Sequence, residues 1–176
     1  MRLGPENGTL TVRTGRGGAA AKAGHDLVIE VERWSATLDD TAIELTADAG
    51  SLRVLEGTGG MSALDDGDKS GIKQTIDEEI LKRLPIRFRS TRVQRSGNRL
   101  EVEGELELVG VKHALEFPLR LDDDGHLTGS ALVKQTDWRI KPFSALFGTL
   151  KVADVVAVAI DATVPAVQPT RSAQVG

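Results

Sequence analysis

The residues able to do chemistry are few and scattered. The chain carries three histidines, His25, His113 and His126, and no cysteine. No two histidines stand in an HxH or HxxxH spacing. A metal site would need them to converge with a carboxylate, and without cysteine neither a thiolate site nor a disulfide is available. No metal and no cofactor is expected. Carboxylates are plentiful, but acid–base work needs positioned groups with tuned pKa values, and most of these fall on the polar side of alternating stretches. Serine and histidine occur without a nucleophile-elbow motif. No catalytic residue is assigned, and the chain reads as a non-enzyme.

Two polar groupings remain. His25-Asp26 reads either as a turn whose carboxylate caps neighbouring backbone, or as a polar gate donating to an oxygen of a ligand. Gln135, Asp137 and Trp138 form the second. By period-two alternation Gln135 and Asp137 share a face with Leu127, Ala131 and Val133. If that face is inward, Asp137 must be paired, because an unpaired buried carboxylate is costly, and Arg139 and Lys141 are the nearby cations. The plainer reading is an ion pair closing one end of the fold. Trp34 and Trp138 read as core.

These groups must be positioned by strands. Residues 99–122 alternate: Leu100, Val102, Leu106 and Leu108, with Gly104 among them, against Glu101, Glu103, Glu105 and Glu107. After an interruption at 110–113, Leu115, Phe117, Leu119 and Leu121 oppose Glu116, Arg120 and Asp122. Each strand thus has one apolar and one wet face. The apolar face needs a second sheet, or a sheet that curls and closes on itself.

The remaining chain repeats this logic. Residues 8–14, 25–34, 43–49, 51–56, 86–93, 127–138 and 152–164 read as strands, and residues 36–38 could prolong the second. Turns are signalled at 39–40, 96–98 and 122–125, and a flexible break at 57–60. Residues 19–23 fit a loop or a helical turn equally well. One clear helix spans 69–83, with Ile72, Ile76 and Ile80 in an apolar stripe, Asp68 as N-cap and Pro85 as its stop. The stripe could dock on the barrel wall or form a lid over an opening. Residues 142–150 suggest a short helix capping one end. A single domain spans residues 1–165, followed by a flexible tail at 166–176.

Antiparallel strands at hairpin spacing with one inserted helix describe an all-β meander barrel of the kind that encloses a ligand. Its inward faces would be Leu27, Ile29 and Val31, then Phe88, then Leu100, Val102, Gly104, Leu106 and Leu108. Leu115, Phe117, Leu119 and Val133 complete the lining, and His25, Gln135 and Asp137 mark its polar end.

Composition narrows the partners. The 176 residues carry a net charge of −4 and 3% aromatics, with no tyrosine. A mildly acidic, aromatic-poor surface argues against nucleic acid and against a base-stacking platform. No run approaches the ~20 apolar residues that span a bilayer, so no transmembrane segment is expected. No apolar signal region is visible at the start, which points to the cytoplasm.

Several segments resemble the YceI-like family. Leu84-Pro85-Ile86-Arg87-Phe88-Arg89-Ser90 resembles its "yPxIxFxS" strand, and residues 104–111 (GELELVGV) resemble its "GdLtixGvtk" strand and turn. His25 and Gln135-Thr136-Asp137-Trp138 sit where family motifs also fall, and the resemblance runs from about residue 9 to residue 164. The helix replaces the family's "LrsxdFFdv" segment with a more polar sequence. The resemblance implies a lipocalin-like extended antiparallel β-barrel holding a long isoprenoid-type lipid, a polyprenyl chain or isoprenoid quinone, for transport or sequestration. Members are often exported. A homodimer is left open. The alternatives are an enzyme using His25 and Asp137 on a hydrophobic substrate, and a side-chain-filled barrel serving as a stress or interaction module.

Overall fold

The computed structural model describes residues 1–17, 24–60, 63–145 and 150–164. In chain order the strands are β1 (Arg2–Leu3), β2 (Gly8–Arg13), β3 (Arg16–Gly17), β4 (His25–Val31), β5 (Trp34–Leu38), β6 (Ile43–Ala47) and β7 (Leu52–Gly59). Helix α1 (Asp66–Thr75) follows. Then come β8 (Ile86–Ser96), β9 (Arg99–Leu108), β10 (Val111–Leu121), β11 (His126–Lys134), β12 (Ser144–Ala145), β13 (Leu150–Val152) and β14 (Val155–Thr163). Eleven strands form one sheet in the order β1-β5-β6-β8-β9-β10-β11-β14-β2-β4-β7, antiparallel throughout. A small sheet, β12-β13-β3, stands beside it.

The alternation read in the central hairpin governs its packing. Leu100, Val102, Leu106, Leu108, Leu119 and Leu121 are buried, while Glu101 and Glu105 are exposed and Glu103 and Glu107 half-exposed. The turn is Val109-Gly110, so 111–113 already belong to β10. Outside, the glutamates face arginines of β8, Arg89 opposite Glu105 and Arg92 opposite Glu103. Arg92 bonds Glu103 at 3.2 Å. Such exposed pairs contribute at most about 1 kcal/mol each, so the buried face fixes the register.

The sheet curls because β4 and β5, near opposite ends of its order, are joined by Glu32 and Arg33 alone. The β6–β7 connection makes the same passage through a short 3-10 turn at Ala49–Ser51. Ser51 is fully buried there; its hydroxyl donates to the Asp48 carbonyl at 2.8 Å and accepts from the Arg33 N–H at 3.0 Å. That bond set ties the two passages together and brings the sheet ends round.

Helix α1 lies on the open side. Its cap is Asp65, three residues before the expected Asp68: the Asp65 carboxylate accepts from the Asp68 N–H at 2.7 Å, and Asp68 accepts from the Asp65 N–H at 3.1 Å. This reciprocal box satisfies two backbone donors, and Asp68 is the third residue of the helix and not its cap. The helix passes into a π turn, Ile76–Ile80, and stops where Lys82 and Arg83 take left-handed conformations (φ 54° and 58°) before Pro85. Lys69 Nζ donates to the Leu55 carbonyl of β7 at 3.1 Å, pinning the helix to that strand.

Four expectations are corrected. Residues 127–138 do not form one strand: β11 ends at Lys134 and Gln135–Trp138 is a 3-10 turn. Residues 36–38 belong to a separate strand, β5, that begins at Trp34. The last strand starts at Val155, because Ala153 and Asp154 turn the chain from β13. Of the expected helix at 142–150, Ser144–Ala145 and Leu150 lie instead in paired strands, and residues 146–149 lie outside the described residues. Residues 19–23 and the 166–176 tail lie outside the described residues.

Candidate functional site

The curled sheet and the helix enclose a cavity of about 710 Å³. Its walls are aliphatic because the inward positions of the strands are. Ile29 and Val31 of β4, Leu106 and Leu108 of β9, and Val133 of β11 border it. So do Leu27, Phe88, Leu115, Phe117 and Leu119. Phe88 and Phe117 stack at 5.2 Å, tilted by 57°. The fourth side is the helix: Ile72, Ile76 and Ile80 border the cavity and remain half-buried, and no residue of α1 or its π turn is buried. The isoleucine stripe packs against the edge of the core and borders the cavity as well.

Polar groups gather where the small sheet meets the large one. His25, Arg16, Gln135 and Lys151 all border the cavity. Arg16 Nε donates to Asp26 at 3.1 Å. The Gln135 amide donates to the Ala153 carbonyl at 3.1 Å, and the Ala153 N–H donates to the Gly15 carbonyl at 2.9 Å. Glycines make the space. A Cβ on Gly60 would lie 2.6 Å from the His25 ring carbon Cε1, and one on Gly59 would lie 2.8 Å from the Arg16 guanidinium carbon. Both glycines have positive φ, 73° and 79°, which other residues rarely adopt. The 57–60 break is thus the room into which His25 and Arg16 fit.

Three residues expected in the lining do not border the cavity. Leu100 and Val102 are 2% and 1% exposed and pack in the solid part of the core. Gly104 is covered by the Phe88 ring. Asp137, expected at the polar end, is exposed and lies outside the cavity lining. The cause is the 3-10 turn: alternation stops at Lys134, so Asp137 leaves the face that Gln135 keeps. His25 and Asp137 are not brought to one site, and no acid–base pair is assembled from them.

The turn is held from outside. Asp154 accepts from the Thr136 hydroxyl at 2.6 Å and its N–H at 2.9 Å, bonds that hold this carboxyl below its ordinary pKa. Inside, Trp138 is 1% exposed, and its indole N–H donates to the Leu106 carbonyl at 2.7 Å. The other histidines stand apart: His113 is exposed against the Trp138 ring, 5.0 Å between centroids, and His126 bonds Asp161 on the outer face at 2.8 Å. Among the described residues, no three metal-ligating side chains gather.

Sequence reasoning missed part of the lining. Val156, Val158 and Ile160 border the cavity from β14, a strand apolar on both faces over part of its length, so its inward face carried no signal. Arg16 and Lys151 lie in segments without periodicity, and only the pairing of β3 with β13 brings them together.

A family model for the YceI-like domain matches residues 10–164. No curated protein matches the chain significantly. Among solved structures, BcnA of Burkholderia cenocepacia is similar over 88% of this chain and 94% of that one, at 14% identity and a TM-score of 0.64. The YceI protein of Campylobacter jejuni is similar over 76% of this chain and 81% of its own, at 12% identity and a TM-score of 0.53. A mutant of the C. jejuni protein, solved with a monobromobimane guest, is 11% identical with a TM-score of 0.53 and the same coverage. At these identities the likeness concerns the fold.

Proposed function

We propose that this chain, which belongs to the YceI-like domain family, binds an elongated apolar molecule in its cavity and carries or sequesters it without chemical change. The observation that carries the reading is the cavity itself: about 710 Å³, walled mostly by aliphatic side chains on the sheet and by the isoleucine stripe of the helix, with Arg16, His25, Gln135 and Lys151 together at one end. Sites for small molecules have this size and this balance. A barrel built only as a rigid module would fill the space with side chains, as interiors are close-packed.

An isoprenoid-type lipid suits it. Each buried methylene contributes about 0.8 kcal/mol by area transfer, so a prenyl chain would gain affinity from length alone. Arg16, His25, Gln135 and Lys151 would orient an oxygen-bearing head group. On this reading the ligand leaves unchanged.

Native mass spectrometry of protein purified from its own source, followed by uptake of a prenylated fluorescent probe by delipidated protein, tests this. The expected result is a stoichiometric lipid adduct and saturable uptake. Protein that is always empty and takes up no apolar probe would leave the hollow barrel without a carrier role.

No helix among the described residues is long and apolar enough to cross a membrane.

A further inference from the structure

The wall of the cavity is not continuously hydrogen-bonded. Strands β10 and β11 are paired only at Leu119–Gly129, Arg120–Thr128 and Leu121–Leu127, next to their connecting turn. Beyond that, residues 111–118 pair with β9 alone and residues 130–134 with β14 alone. Among the described residues no backbone bond joins these two stretches. The strands part like a fork and leave a window in the sheet.

The sequence builds this fork. Gly129 sits at its apex, where a Cβ would lie 2.8 Å from the Pro118 carbonyl oxygen, so only glycine lets the strands meet there. Pro118 is the next residue of β10, and proline offers no N–H for another rung. At the wide end the chain after β11 turns inward, and Trp138 is fixed there by its bond to Leu106 and its contact with His113.

The inner side of the rim is apolar on both strands. Leu115, Phe117, Ala131 and Val133 border the cavity from within, and the exposed Ser130 borders it as well, so the cavity reaches the outer surface here. Leu132, directly outside, is 67% exposed, more than any other large apolar side chain described. The basic side chains of the lining, Arg16 and Lys151, lie elsewhere, on β3 and β13.

We propose that an apolar ligand enters and leaves sideways through this window, between β10 and β11, with Leu132 on its path. The inference rests on the carrier reading above and adds the route. A chain moving through the window slides over apolar side chains and does not have to pass the charged Arg16 and Lys151.

The chain has no cysteine, so introduced thiols react alone. Continuing the Leu119–Gly129 register places Glu116 opposite Leu132 across the gap, both exposed. Glu116→Cys with Leu132→Cys, joined by short bis-maleimides of graded length, staples the window. Leu132→Cys alone, carrying a bulky polar maleimide, crowds it without needing a second thiol. The same bulky reagent on Gln94→Cys, an exposed position in β8, is the control. For a prenylated fluorescent probe, both uptake and release should slow by at least about tenfold in the stapled and crowded proteins, with Kd nearly unchanged, because a route alters both rates alike. Unchanged rates in proteins that still bind the probe would overturn the route and leave the carrier reading standing. If the unmodified protein binds no probe, the carrier reading fails first, and the route with it.

Discussion

The aromatic ring of Phe88 lies over Gly104, filling the space a side chain there would need. A Cβ built on Gly104 would be 2.7 Å from Phe88 Cε2 and 2.5 Å from the Arg89 carbonyl oxygen. A glycine amid alternating leucines can mark close approach of a ligand or of another part of the protein, and here it is the protein's own ring. Gly104→Leu should therefore overpack a filled space and cost about 1 to 3 kcal/mol. Thermal unfolding should show a lower Tm, while the protein that remains folded takes up a prenylated probe as before. An unchanged Tm with lost uptake would mean that Gly104 borders the ligand after all.

The helix stripe should behave in the opposite way. Ile72 and Ile76 border the cavity and are only half-buried without a ligand. Removing their apolar surface costs the empty fold little but costs the complex the area a ligand would cover, up to about 1.5 to 3 kcal/mol for each side chain fully covered. Ile72→Asn with Ile76→Asn should weaken binding of the probe by at least about tenfold with a small change in Tm. Equal loss of stability and affinity would show that the stripe holds the empty fold together.

His126 and Asp161 give a pH dependence. The hydrogen bond to Asp161 raises the pKa of His126 above its ordinary value. A group whose folded pKa is raised stabilises the fold fully below its unfolded pKa, about 6.5 for histidine, and this contribution is lost as pH rises through the folded value. Its size is small, since both side chains are exposed. An NMR titration should find His126 titrating above the ordinary histidine value of about 6.5, and Asp161→Asn should bring it down. A His126 midpoint unmoved by that substitution would remove the pair from the account.

The fold was legible where one face of a strand is greasy and the other charged. Glu101 to Glu107 against Leu100 to Leu108 left one register, and the structure keeps it. Legibility failed where periodicity continues past the point at which the chain turns. Gln135 and Asp137 share a face on paper, but the Asp154–Thr136 bonds belong to a contact 18 residues distant and convert the strand end to a turn. The site was half legible for a related reason. An inward strand position does not say whether protein or void stands opposite it, so Val102 and Leu106 look alike in sequence, yet one packs in solid core and the other borders the cavity.

Trp138 offers a test of that turn. Its indole N–H is buried and donates to the Leu106 carbonyl, tying the 3-10 turn to β9 across 32 residues of chain. Trp138→Phe keeps most of the apolar ring and deletes the donor. The cost should be about 1 to 3 kcal/mol, the penalty for leaving a buried acceptor without its partner. Trp138→Ala removes the ring as well and should cost about 3 to 5 kcal/mol. Trp34 is the only other tryptophan, and it is buried in β5, so its fluorescence reports unfolding in both variants. Denaturant midpoints ordered wild type, Trp138→Phe, Trp138→Ala, at constant m-value, are expected. If Trp138→Phe unfolds at the wild-type midpoint, the Leu106 bond contributes nothing and the turn is held by Asp154 and packing alone.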